Sequence, residues 1–588
     1  MDPIKVDFSK KDGGRKKDIV IPPEKAALKI ILSLLCSAVF AVIAFYVMLP
    51  AINFKAYDFY LYLGLVAVSY VVFNGLFANI MGKPEYVPFV KKRAIVPGII
   101  IAALVAVVAV GYLVSCEFFR AESYSKIIDV RTDSNFSEEI QEQDAESFSA
   151  IPKLDESAAA QLATRALGVL EEKGYVSQFT VYPEYTQINY KETPVRVAPL
   201  QYANIIKWFT NTKNGFPGYV VIDMANESTE FVELENNIRY SPAEHFNKLL
   251  KRHLRFNYPT FLFADATFEI DDEGNPYWIC ARLDKTIGLF GGTDVIGAVV
   301  VKADSPDGES EYYTIDQIRN EEKLQWIDRI YDSDLIVQQY NYYGKYQNGF
   351  WNSVLGQRDV ITTTANYNYI AKDDDVWMYT GVTSVTSDQS ITGFVLANQR
   401  TKEAVYYRVT GGTEYSAQLA AEGRVKDLGY KATFPLLLNI GGEPTYFLSL
   451  KDDSNIVQQY ALINVAQYNN NKMGATGTDL SKCLASYVAA LAQSGIKVDI
   501  DPNDIVDLSK GEQPDKELLT AKGKITDIRT AVIGGESCYY IKLDSNPAYF
   551  SISASKDESV VILNIGDEVT VSYSGEGAII AADSVKTA

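Results

Sequence analysis

A chain of 588 residues with 74 acidic against 55 basic side chains, two histidines and five cysteines is several domains long and acidic overall. So sparse and odd a cysteine set excludes a disulfide framework, and two histidines leave little for histidine-dependent catalysis. Residues 1–118 hold 13 basic and 8 acidic residues, which leaves 42 and 66 for the rest, a net charge of −24 that disfavours nucleic acid and anionic headgroups as its partners.

Three apolar stretches, 26–51, 59–81 and 94–116, each reach the ~20 residues that cross a bilayer as a helix. They carry almost no ionisable residue away from their ends, so they read as an anchor and not as a transport path. Asn74 and Asn79, in "FNGLFAN", read as helix-packing positions. Seven Lys/Arg in residues 1–25, and Lys83, Lys91, Lys92 and Arg93 after the second stretch, mark a cytoplasmic tail (1–25) and a cytoplasmic second loop. By the same rule residues 117–588 are extracytoplasmic. "LVSC" has the form of a lipobox ending at Cys116, but it follows two spans, and an ordinary helix end is expected.

Residues 117–150 are polar and aperiodic and are expected to form a stalk. Four passes of helix, hairpin and further strand then follow, over 151–240, 241–325, 326–410 and 411–495. In the second, Ser241, Pro242 and Glu244 spell a capping box with proline at the first helical position, opening "SPAEHFNKLLKRHLRF". "ATFEIDDEGNPYWICARL" follows as a hairpin with a Gly-Asn turn. "IVQQY" occurs twice, at 336–340 and 456–460, but at different places in this pattern: in the helix of the third unit and in a strand of the fourth. The degenerate pattern is therefore the repeat, and the five-residue identity is not. An additional amphipathic helix (480–495) closes the fourth unit. A polar linker (496–518) leads to 519–588, where five short strands and "GDEV" read as a small OB-like β-barrel.

A helix feeding "FEIDDEGNPYWICARL", then a Gly-started strand with an acidic-Tyr-Tyr tail, resembles the PepSY domain. That is a small α+β module of peptidase propeptides and cell-envelope proteins. The likeness is best over 241–315, looser over 155–234 and weak over 332–465, where Asp373, Asp374 and Asp375 replace the turn Gly-Asn-Pro. Taken whole, the chain resembles a family of uncharacterised membrane-anchored envelope proteins of anaerobic Gram-positive bacteria. The resemblance implies a bacterial plasma-membrane location, and its PepSY part implies peptidase regulation. The expected fold class is thus a three-helix membrane anchor, an α+β extracytoplasmic region of repeated helix-plus-antiparallel-sheet units, and the small barrel.

Catalytic signatures are missing from the sequence. His245 and His253, eight apart on one expected helix, lie too far apart along its axis to share a metal. Neither H-E-x-x-H, C-x-x-C, G-x-S-x-G nor a P-loop occurs, so no catalytic, cofactor-binding or metal residue is assigned and no cofactor is expected. "FGGTDVIG" reads as a turn between strands. Asp499, Asp501, Asn503 and Asp504 lack the Gly and Glu of a calcium loop and read as solvated linker. Cys280, Cys483 and Cys538 read as buried free thiols.

Aromatic density is the remaining signal. "QQYNYYGKYQNGFWNSVLG" brings Tyr340, Tyr342, Tyr343, Tyr346, Phe350 and Trp351 together as a candidate partner surface, with packing between units as the competing reading. Tyr539, Tyr540 and Phe550 are candidate contacts on the barrel face, with core filling as the alternative. The expected function is a non-enzymatic scaffold or binding protein of the cell envelope that docks a protein or peptide, with the oligomeric state left open. A regulator or inhibitor of an envelope peptidase is the second reading, and a membrane-tethered hydrolase using Ser-Lys or paired carboxylates the third.

Overall fold

The computed structural model describes residues 20–169, 174–385, 390–505, 519–533, 536–553, 558–573, 577 and 579–587. Most of the expected tail (1–19) and much of the expected linker (506–518) lie outside them. The chain divides into two units, Met1–Asp507 and Leu508–Ala588.

Three helices, Ala26–Met48, Tyr57–Ala78 and Val87–Ser115, are long and apolar enough to cross a membrane. The first two end on left-handed caps, Leu49 and Asn79, whose backbone N–H groups bond carbonyls of the last turn. The folded body is fastened to one end of this helix group, where the first and third helices finish and the second begins. Ser115 Oγ accepts from the N–H groups of Leu289 (2.8 Å) and Phe290 (2.9 Å), in the turn after Pro276–Ile287. Gly288 (φ +64°) is required in that turn, because a Cβ there would collide with Ser115. Phe290 stacks on Tyr57 at 4.2 Å, and Lys55 pairs with Asp284 at 2.8 Å.

Beyond the helices the fourfold pattern is a repeated topology. In each of four consecutive segments a helix precedes a set of five sheet strands, of which the first and second both pair with the third, the third with the fourth, and the fourth with the fifth; in the third segment the two-residue strand Ser390–Ile391 intervenes and pairs outside this set. The central third strands are Thr193–Tyr202, Pro276–Ile287, Asp375–Ser384 and Glu443–Lys451. They are largely buried. The two copies of "IVQQY" fall in the helix Ser333–Tyr346 and across the start of the strand Val457–Asn464, and Tyr340 and Tyr460 are buried in both settings.

The hairpin between second and third strands is a two-residue turn in three units. Its central residues are Lys191 and Glu192 (φ +52° and +63°), Asp373 and Asp374 (+54° and +62°), and Gly441 and Gly442 (+64° and +77°). Positive φ at both positions matches the twist of the flanking strands. In the second unit Asp271 instead braces a longer turn, accepting from the N–H groups of Glu273 (3.1 Å) and Asn275 (2.8 Å). The aspartates of the third unit thus make the turn that glycines make in the fourth, at a steric cost. Asp373→Gly is expected to raise stability by about 1 kcal/mol, read as an upward shift of the urea midpoint of the detergent-solubilised chain. Gly441→Asp should lower it, because a Cβ there would lie 2.8 Å from Val498 Cγ2.

Two local expectations are corrected. Residues 117–150 are not a free stalk. Val130–Ser134 adds a parallel edge strand to Ala404–Tyr407, and Phe136, Ile140 and Phe148 are buried in a core shared with the fourth sheet. Their apolar residues sit on short helices and turns, so no period betrays them. The capping box is also absent. Ser241 Oγ accepts only from Ala243 N (3.1 Å), Leu249 breaks the helical path (ψ 117°), and the α-helix begins at Leu250. Glu244 turns inward to accept from Trp208 Nε1 (2.7 Å) and Tyr202 OH (2.9 Å), because buried donors need an acceptor more than a solvated helix end does. His245 therefore precedes the helix that carries His253.

In the C-terminal unit, Leu508–Ala588, five strands, Leu519–Ile533, Glu536–Leu543, Tyr549–Ser553, Ile579–Thr587 and Glu568–Tyr573, pair in that order, and the last pairs back to the first. Ile525, Ile541, Phe550, Val569 and Val571 fill the centre.

Candidate functional site: a cleft where the repeat units meet

Two adjoining cavities, of about 650 and 550 Å³, share Glu184, Tyr185, Arg329 and Tyr367 as walls. The first unit supplies Tyr182, Tyr185 and Arg196, the second Asp265 and Trp278, the third Tyr367 and Tyr369, and the fourth Phe434 and Ser449. Only the repeat brings these residues together, since each unit turns one sheet face or helix end to the shared space.

Its deepest charges are guanidinium groups. Arg196 lies on the central strand of the first unit with a side chain 8% exposed, and its nearest carboxylate, Glu156, is 4.0 Å away. Burial pulls its pKa down, and Glu156 opposes that. Arg329 donates to Tyr369 OH (3.1 Å) and stacks on that ring with its centre at 4.6 Å. Burial lowers its pKa, but Tyr369, Glu269 and Asp332 outweigh it, so the net shift is upward. Among the described residues neither Arg196 Nε nor Arg329 Nε has a hydrogen-bond acceptor. Buried donors left open in this way are costly in a folded protein and mark a place to look for a ligand.

Carboxylates form the rim. Glu156, Glu184, Asp265, Asp332 and Asp334 are exposed around the openings. Glu184 is raised by partial burial and by Asp265 and Glu156, while burial and Glu184 push Tyr182 up to about 12. Cations below, carboxylates above and tyrosine walls between suit a ligand that carries both signs of charge and flat polar surface.

One contact resembles catalytic geometry. Lys451 Nζ lies 2.7 Å from Ser157 Oγ, but it also pairs with Asp155 at 2.5 Å. Burial raises Asp155, yet the Lys451 bond and the Ala158 N–H hold its net pKa below the usual value. Lys451 is thus shared between the two side chains, and Asp155 is accounted for as a cap, accepting from Ala158 N at 2.9 Å at the start of Glu156–Val169. His253 Nε2 sits 2.8 Å from the Gly308 carbonyl and against the Tyr240 ring, while His245 packs edge-on to Trp208 at 5.2 Å. Cys280 and Cys483 are buried, which pushes both thiols up, whereas Cys538 is half-buried.

The aromatic segment does not form the expected partner surface. Tyr340 is fully buried in the core under the second and third sheets, with Tyr343 packed against it. Tyr346 is buried beside Tyr124 and Ile287, with Tyr342 and Phe350 packed on them, so only Trp351 (63%) stands exposed among the six. The segment is a helix wedged against Glu117–Ser125, and its alternate positions face two cores. Phe550 is likewise core, with its ring 4.9 Å from Tyr573, and Tyr539 and Tyr540 are half-buried.

What sequence reasoning missed is Arg196 and Arg329. The available signal was a charge embedded in apolar neighbours, "VRV" and "WIDRIY". Comparison with protein-family models gives no match to this chain, and neither does comparison with curated proteins.

Proposed function

We propose that this is a non-enzymatic, membrane-anchored binding protein that docks a peptide or protein segment in the cleft between its repeat units. The reading rests above all on two arginines at the cleft, buried Arg196 and half-buried Arg329, each with a buried Nε–H that lacks an acceptor among the described residues. A carboxylate on the incoming segment would satisfy them, the rim carboxylates would take its cationic groups, and the tyrosines its planar amides. In this proposal the units are PepSY-like, the last 70 or so residues are an OB-like barrel, and the basic loops keep the N-terminus in the cytoplasm of a bacterial cell. Residues 117–588 then face the envelope, and the segment docked could belong to an envelope peptidase that the protein regulates.

Arg196→Met tests this directly. Among the described residues the nearest carboxylate to Arg196 is Glu156 at 4.0 Å, so the variant is expected to unfold within about 1 kcal/mol of the parent, or to gain stability. In-cell cross-linking of tagged full-length protein, followed by mass spectrometry, should recover an envelope protein with the parent and lose it with Arg196→Met. Equal recovery from both would remove the cleft from the binding site.

A further inference from the structure

Near the ends of the first and third long helices, the body carries two exposed apolar patches that the cleft does not use. One consists of Ile205, Ile206 and Phe209 on the helix Ile205–Asn211, together with Phe246 and Phe256. It lies at the outer end of the first span: the Phe256 ring is 5.8 Å from Phe45, Tyr46 OH donates to Asn247 Oδ1 (2.8 Å), and Trp208 links Phe209 (4.7 Å) to Phe246 (5.6 Å). The other consists of Phe118, Phe119, Trp351, Val354 and Leu355. Phe118 follows the last residue of the third span by three positions, which limits its climb from Ser115 to about 10 Å, and its ring touches Phe350 (5.1 Å) and Trp351 (5.7 Å).

Charge distinguishes the first patch from the rest of this acidic body. Residues 203–216 and 245–261 contain Lys207, Lys213, Lys248 and Lys251, besides the buried Arg252 and Arg255, and no aspartate or glutamate. A net charge of −24 beyond residue 118 is therefore an average that conceals a basic, aromatic strip where the body meets the spans. Aromatic and aliphatic side chains flanked by lysine are what the headgroup and upper acyl layer of a bilayer accept.

We propose that both patches insert into the interface of the same membrane the helices span, and that anionic headgroups meet the lysines of the first. The body is then held at the bilayer surface at two places besides its helices, independently of what the cleft binds.

Trp351 provides the probe. Full-length protein is placed in nanodiscs of phosphatidylethanolamine and phosphatidylglycerol, and the Trp351 signal is taken as the difference between the parent and Trp351→Phe. Lipids brominated in the upper acyl chain should quench it, at a depth of about 5–10 Å below the headgroups, and aqueous acrylamide should quench it less than in detergent-free denaturant. Phe209→Trp in the Trp351→Phe background should behave alike, with stronger lipid quenching when phosphatidylglycerol is present. Emission at either position that acrylamide quenches freely and bromolipid leaves unchanged would overturn insertion of that patch and, with it, the two-point contact.

Discussion

Arg255→Met is expected to destabilise the full-length protein by about 3 kcal/mol, seen as a lowered thermal midpoint in detergent or nanodiscs. Arg255 is buried, and burial lowers its pKa, with Asp58 opposing. Its Nε donates to the Leu49 carbonyl (3.1 Å), at the C-terminal end of the first span, where a helix leaves carbonyls without intrahelical partners. Its Nη1 donates to the carbonyls of Phe261 (2.7 Å) and Pro259 (3.2 Å). Pro259 also accepts from Ile52 N at 2.8 Å, so one guanidinium joins the loop between the first two spans to the second repeat unit. Methionine keeps the volume but removes the donor to the Leu49 and Phe261 carbonyls, while Pro259 keeps that of Ile52. Arg252→Met should cost less, because Arg252 also stacks on Tyr46 at 4.0 Å, a contact that methionine partly retains. Equal midpoints for the parent and Arg255→Met would mean that the other contacts between the helices and the body, such as the Ser115 turn and the Lys55–Asp284 pair, hold the junction without Arg255.

Legibility in the sequence followed the range of the interactions. The spans depend on local composition, and the four units on a periodic alternation of helix and strand, so both could be read directly. The third hairpin forms although aspartates replace the turn Gly-Asn-Pro, because the pairing of Asn368–Lys372 with Asp375–Ser384 compensates for two of them in left-handed backbone. Glu244 shows the opposite case. Its spacing from Ser241 is that of a cap, yet two donors distant in sequence, Trp208 and Tyr202, claim its carboxylate. The aromatic segment around Tyr340 misleads for a related reason: sequence density does not reveal which helical face meets a core. The cleft was least legible, since its walls come from four units and its two arginines sit in strand and loop contexts that elsewhere hold apolar residues.

Asp328→Asn is expected to stabilise the protein by about 2 kcal/mol at pH 8 and by progressively less as the pH falls toward 4. Asp328 and Glu269 are both buried. Glu269 accepts from the N–H groups of Asp328 (2.8 Å) and Arg329 (3.1 Å), and Asp328 accepts from Asn189 N (2.6 Å). Burial pushes Glu269 up to about 7 despite those donors and the nearby Arg329 charge. Burial raises Asp328 as well, with the negative charges of Glu269, Asp375 and Asp374 adding to it. The folded protein therefore binds more protons than the unfolded chain from the unfolded carboxylate values near pH 4 up to the raised folded values. Stability must fall as pH rises through that window. Asparagine keeps an oxygen for Asn189 N and removes one of the two ionisations. The gain should thus be negligible where the unfolded aspartate is itself protonated, and largest above the folded pKa. Urea unfolding of the full chain at pH 5 and pH 8 reads the difference. An Asn variant less stable than the parent at pH 8 would show that the Asp328 carboxylate is a favourable ionic partner of Arg329 and not a suppressed charge beside Glu269.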